Sequence, residues 1–387
     1  MTRRTRWWAA ALLLAAGAAH AQSNWARVPV PIYSPGQFVQ GVYRFWAAPQ
    51  AAELAAHSAA LTPAVQAVCR ASAREAAARL DAARLGWRAT AVSWDRLTAV
   101  AIGPLIERRS QRQIDFSPTR PVLIAAAVDL AATAATPTPA DASAMETIGA
   151  PAKGLPALEW LLWKQPRLAA SPACRYAVQV AADIDREARA LALAYRQAAD
   201  EPWDDETAAL AAMSEIVNQW VGGVERLRFT QKEKPLRKAD AAAPGTALAG
   251  VPPAPPSYPR ATSGGSAASW AAQWQSLRAV GLFDNSQRAA VVPPPGMALV
   301  PLETYLRGKG RNSVADALVA AGMQVDAAVK QLTAPTRAAP LPSAVRAPYA
   351  ARVMAASTEL AALKRLAEAQ LAPALQVSLE FTSADGD

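Results

Sequence analysis

Three places in this 387-residue chain carry side chains whose type and spacing suit chemistry. The first is Glu159, set in the run Gly154-Leu155-Pro156-Ala157-Leu158-Glu159-Trp160-Leu161-Leu162-Trp163. Leu155, Glu159 and Leu162 stand at i, i+4 and i+7, so a helix puts the carboxylate on a face shared with leucines. A carboxylate buried there needs a proton, a cationic partner or a metal. An arginine tying two helices together and a ligand site both meet that need. The second place is the turn from Arg260 to Ser266. Gly264 and Gly265 allow backbone N–H groups, the Ser263 and Ser266 hydroxyls and the Arg260 guanidinium to converge on an anion or a carboxylate. The same residues also suit capping, with Ser266 or Ser269 as N-cap of a helix containing Trp270. The third is the pair Cys69 and Cys174, too far apart for a CxxC metal or redox motif. A bridge closing a loop of roughly 100 residues is worth about 4–5 kcal/mol in the chain-entropy model, and free buried thiols are the alternative.

Other chemistries find little support. The chain has two histidines, and only His57 lies beyond the N-terminal segment. A Ser-His-Asp triad has no assignable spacing, GxSxG is absent, and Ser263-Gly264-Gly265-Ser266 does not follow a strand as a phosphate loop would. His57, on an Ala-rich helix, reads as a surface or half-buried residue. Trp94, Trp220 and Trp274 read as core packing.

The elements that must position these groups are helical. Apolar residues make up 52% of the chain and charged residues 18%, enough apolar material for a folded protein, and the Ala runs favour helices over strands. Two helices are expected between Val42 and Gly86, broken at Leu61-Thr62-Pro63, with Thr62 as cap and Pro63 in the first turn. Helix is expected from Trp87 to Gly103-Pro104, a surface loop over 108–121, and helices at 122–132, 174–200 and 204–228. A Pro/Ala/Gly-rich linker or insertion over 232–259 follows, then helices near 269–280, 301–306, 314–332 and 348–371. Leu375 to Phe381 alternates like a short strand. The expected organisation is a signal peptide over 1–21, an extended lead-in over 22–36, an N-terminal helical half over 37–231 and a C-terminal helical half over 260–387 with an ordered tail.

The first residues read as an export signal. Arg3, Arg4 and Arg6 precede the apolar run Trp7 to Ala18 and the A-x-A site Ala19-His20-Ala21, predicting cleavage near Ala21 and a mature protein in the periplasm. No later stretch is long and uncharged enough for a transmembrane segment. The net charge is +9, three units of it from that leader, and the remaining basic residues are scattered. The small clusters at Arg108-Arg109 and Lys232 to Lys238 read as solvated helix faces, and no nucleic-acid partner is expected.

Gly154 to Trp163, Tyr258 to Trp270, Phe381 to Asp387 and, less closely, Leu302 to Arg311 together resemble the imelysin family. These are exported bacterial proteins named for an insulin-cleaving metallopeptidase and including iron-regulated members. The resemblance runs from about Phe38 to the end. It implies an all-α fold of two helical-bundle halves with a groove between them, and a GxHxxE motif at the site. On a helix, His and Glu three residues apart reach one metal ion together. Here the motif falls on Gly154, Pro156 and Glu159, so the His position carries no ligand atom. Zinc is therefore not expected, since a catalytic zinc needs about three protein ligands and an open position.

Taken together, these readings predict an exported, non-catalytic protein that binds a metal-related or small anionic ligand between its halves, with iron acquisition as the implied setting. Glu159 is the metal candidate, iron or another divalent ion the implied cofactor, and Arg260, Ser263 and Ser266 line the groove. Asp385 and Asp387 supply either hard oxygen ligands or a solvated acidic tail. The alternatives are a metallopeptidase with a rebuilt metal set and a scaffold that receives another envelope protein.

Overall fold

The computed structural model describes residues 29–133, 145–165, 168–169, 171–242, 256–284, 291–333 and 343–379. The expected signal peptide, most of the lead-in, and Asp385 and Asp387 lie outside them. Fifteen α-helices are named here: α1 (Pro35–Val42), α2 (Ala48–Arg70), α3 (Ala76–Leu97), α4 (Pro104–Glu107), α5 (Ser110–Ile114), α6 (Pro121–Thr133), α7 (Gly154–Lys164), α8 (Pro172–Asp200), α9 (Glu206–Glu225), α10 (Lys234–Ala242), α11 (Ser266–Gly281), α12 (Leu302–Gly308), α13 (Asn312–Thr333), α14 (Ser343–Leu366) and α15 (Ala372–Leu375). The fold is all-α, with no strand among the described residues.

The long helices pair antiparallel, as side-chain contacts across them show. Arg96 bonds Glu53 and Ser93 meets His57, which sets α2 against α3. Ser58 donates to Asp185, and Cys69 is disulfide-bonded to Cys174, which sets α2 against α8. In the second half of the chain α13 packs on α14, while α11 lies across α3. Helix α9 touches both α1 and α14, and the buried apolar residues form one connected cluster from Tyr33 to Val377. Trp220 and Trp274, on α9 and α11, are buried in it and use their indole N–H groups on the Leu277 carbonyl and on Asp326.

Several boundaries differ from those expected, each for a tertiary reason. Helix α2 runs unbroken through Pro63, so Thr62 is not a cap. A proline inside a helix costs about 3 kcal/mol, but Leu54, Leu61, Val65 and Val68 are all buried along this helix and hold it straight through the defect. The break falls instead at 71–75. Helix α3 stops at Leu97, short of Gly103, because the carbonyls beyond it have tertiary donors. Arg226 donates to the Thr98 and Ala99 oxygens, and the Tyr195 hydroxyl to that of Ile102. Such donors let a buried segment leave the helix without stranding its backbone.

Two further corrections concern polar stretches. The expected linker start at residue 232 lies inside a continuous helical run: a π-helical stretch over Arg226–Glu233 leads into α10, which reaches Ala242. Lys232 is fully buried there rather than solvated, its ammonium donating to the Leu227 carbonyl and lying 5.1 Å from the Trp270 ring centre. Leu375 to Leu379, the described part of the expected strand, instead closes α15: Gln376 is left-handed and the Val377 N–H returns to the Ala372 carbonyl.

Candidate functional site

Helix α7 is where the sequence placed its chemistry, and its first residue explains why it can lie so deep. Gly154 has φ +76°, and a Cβ there would sit 2.3 Å from the Ile114 carbonyl oxygen, so only glycine permits this approach to α5. The helix buries Leu155, Leu158, Leu161 and Leu162, and it carries Glu159 in with them at 5% exposure. Among the described residues no arginine pairs with Glu159. Its Oε1 accepts the backbone N–H of Ser263 at 2.8 Å.

That contact brings the turn before α11 onto α7. Arg260 occupies left-handed backbone, φ +61°, and its carbonyl accepts both the Gly265 N–H and the Ser263 hydroxyl. The Ser266 hydroxyl donates to the Pro259 carbonyl at 2.6 Å. Both hydroxyls therefore close the turn. Neither Ser266 nor Ser269 is the N-cap; Gly265 takes that position without a side-chain cap. Arg88 of α3 binds the turn from outside, donating to the Ser263 carbonyl while its guanidinium lies over Trp163.

The Arg260 side chain points inward, away from Glu159's bond, to two carboxylates that the sequence reading did not single out. Its Nη1 and Nη2 grip Asp115 Oδ1 and Oδ2 at 2.9 and 2.8 Å, and Nη2 also reaches Asp95 Oδ1 at 3.1 Å. The Trp94 indole N–H donates to Asp115 Oδ2, and the guanidinium lies 5.7 Å from the Trp87 ring centre. Burial drives the Asp95 carboxyl pKa upward, opposed by Arg260 and the nearby Ser269 hydroxyl and assisted by the Asp115 charge. Burial would lower the Arg260 value, but the Asp115 and Asp95 charges outweigh it and hold the guanidinium above its ordinary range. Two buried atoms of this cluster, Asp95 Oδ2 and Arg260 Nε, have no hydrogen-bond partner of bonding geometry among the described residues.

Asp95 had a readable signal, an acid between Trp94 and Leu97 on an otherwise apolar helix face. Asp115 had none, since it follows α5 in the segment expected to cross the surface. His57 is half-buried and bonded to Ser93, and Glu159 is bonded to Ser263 in the turn that also carries Arg260.

The donor set does not fit a metal ion. Asp115 has both oxygens committed to Arg260, Asp95 shares the same guanidinium, Glu159 Oε1 holds an amide, and Pro156 offers nothing. Among the described residues no three His, Cys, Asp or Glu side chains are grouped to hold a metal ion.

The chain is thus an all-α protein of paired long helices packed around a buried arginine flanked by carboxylates. The sequence profile of imelysin, the M75 peptidase family, matches residues 47–370, and the chain belongs to the imelysin family. Among solved structures it is similar to an imelysin-like protein from Psychrobacter arcticum 273-4, with a TM-score of 0.65 and 21% identity, covering 92% of this chain and 100% of that one. A protein designated iron-regulated protein A precursor from Parabacteroides distasonis ATCC 8503 aligns with a TM-score of 0.58 and 14% identity, covering 87% and 98%. At these identities the likeness concerns the fold. No functionally curated protein matches the chain in sequence. No described helix is long and apolar enough to cross a membrane.

Proposed function

We propose that this chain is an exported, non-catalytic imelysin-family protein that binds a small polar ligand, free or metal-bound, beside Arg260, Asp95 and Glu159. The observation that carries the reading is a buried cluster in which, among the described residues, Arg260 Nε has no hydrogen-bond partner and Asp95 Oδ2 has none in bonding geometry, with the Ser269 hydroxyl near its carboxyl. A buried polar atom without a full partner costs about 1–3 kcal/mol, which a ligand that bonds it recovers. The leader-like first 21 residues and the disulfide between Cys69 and Cys174 support an oxidising envelope compartment. The relative named as iron-regulated makes iron acquisition the setting to test first.

The absence of a ligand atom at Pro156 and the commitment of the acids to Arg260 argue against hydrolysis. The test is thermal melting of the mature protein with ferrous, ferric, zinc and calcium ions, with citrate, and with ferric citrate. Wild type is compared with Asp95→Asn and Glu159→Gln. The reading expects citrate or ferric citrate to raise the wild-type melting temperature and to do so less in Asp95→Asn, and the bare ions to leave it unchanged. No shift with citrate or ferric citrate, or chelator-sensitive cleavage of an unfolded substrate, overturns it. A scaffold role draws on a different observation: α6 exposes Val122 and Leu123 at 80% and 43%, the apolar surface that a partner protein would cover.

A further inference from the structure

A cavity lies apart from the Arg260 cluster, formed by other helices. It encloses about 210 Å³ between α2, α6 and α8. Its apolar wall is Ala131, Val178 and the Cys69 end of the disulfide, with the Gln179 amide beside them. Two arginines, Arg70 and Arg175, stand exposed at its mouth, and among the described residues no carboxylate lines it. Among the described residues neither guanidinium is paired with an acid.

Local electrostatics sharpen the asymmetry. Arg175 sits in the first turn of α8, which has no acidic residue there. That end of a helix carries partial positive charge and favours an anion, so the cation placed on it leaves an uncompensated positive potential. Arg70 is the last residue of α2 and brings a second full charge to the same opening, offset in part by the partial negative charge of that helix end. An apolar chamber with two unpaired guanidiniums at its mouth is complementary to an amphipathic anion. Dry apolar cavities of about 150 Å³ hold benzene, so this one has room for a ring and a carboxylate.

We propose that this cavity binds a small monocarboxylate with an apolar body of about one ring, its carboxylate between Arg70 and Arg175 and its body against Val178, Ala131 and the disulfide. The site is independent of the ligand reading at Arg260. The experiment is calorimetric titration of the mature, disulfide-bonded protein with benzoate, with the neutral isostere benzamide, and with inorganic phosphate. Benzoate is expected to bind one per chain, benzamide about tenfold or more weaker, and phosphate weaker than benzoate. Arg175→Gln, at an exposed position, weakens benzoate about tenfold, and Val178→Trp abolishes it by filling the chamber. Equal affinity for benzoate and benzamide overturns the proposal. So does phosphate binding as tightly as benzoate, or no benzoate binding up to about 10 mM. Should Val178→Trp fail to fold, the Arg175→Gln and benzamide comparisons decide alone.

Discussion

Arg260, buried, and Arg228, half-buried, each bond two carboxylates, and the two clusters are built to different standards. Around Arg228, every charge has an answer. Its guanidinium grips Glu225 and reaches Glu233 at 2.8 Å, Ser357 donates to Glu233 at 2.6 Å, Arg237 takes the other Glu233 oxygen, and Lys364 flanks Glu225. Around Arg260 the grip on Asp115 is as good, yet Asp95 Oδ2 and Arg260 Nε are left over. The Arg228 set comes from neighbouring turns of one helical run, clamped by α14. The Arg260 set is drawn from positions 145 and 165 residues apart. A satisfied local cluster fastens a bundle together. An incompletely satisfied one assembled from distant segments is poorly explained by fastening alone, and the proposed ligand role rests on that difference.

The comparison breaks most directly at the arginines. Arg260→Met leaves Asp95 and Asp115 buried without their cation and is expected to cost about 3–5 kcal/mol in urea unfolding. Arg228→Met is expected to cost less, about 2 kcal/mol, because Lys364, Arg237 and Ser357 stay in place. Equal losses would erase the distinction between the clusters. Ser357→Ala, which removes only the hydroxyl donor to Glu233, is expected to cost about 1 kcal/mol by the same measurement.

The finest distinction is one of sign. Asp95 has its carboxyl pKa raised by burial, so its contribution to stability is greatest at low pH and declines as pH rises from the ordinary carboxylate range through the raised value. Glu233 is the reverse. Although burial opposes it, Ser357 and Arg228 hold its pKa below the ordinary value, so its contribution is present at neutral pH and is lost as pH falls through that lowered value. Unfolding measured across pH should therefore show Asp95→Asn becoming less costly relative to wild type as pH rises, and Glu233→Gln becoming more costly. Parallel slopes would show that the two carboxylates are held alike.

How much of this could be read from the sequence depended on whether the cause was local. Helices α8 and α13 follow from three- and four-residue spacing within a few residues of their observed ends. Pro63 misled because the forces that keep α2 intact come from the helices packed on it. Lys232 misled because a basic, polar run normally faces water, and only the π-helical stretch turns this lysine inward against Trp270. At the site, Glu159, Arg260 and Ser263 stood out by the company they keep in the chain. Their partners did not: Asp115 is an ordinary residue in an ordinary polar stretch, and its importance exists only once α5 is lodged beside Gly154.

The disulfide has a topological consequence. Cys69 and Cys174 close a covalent ring of sequence separation 105, and Asp95, Asp115 and Glu159 all lie on that ring, while Arg260 lies outside it. An oxidised chain that loses its native packing therefore keeps its three acids tethered within one loop, and the cation that reconciles two of them must arrive from elsewhere along the chain. Oxidation gathers the mutually repelling partners in advance. The turn at 258–266 brings the guanidinium that pairs with Asp95 and Asp115 in from outside the ring.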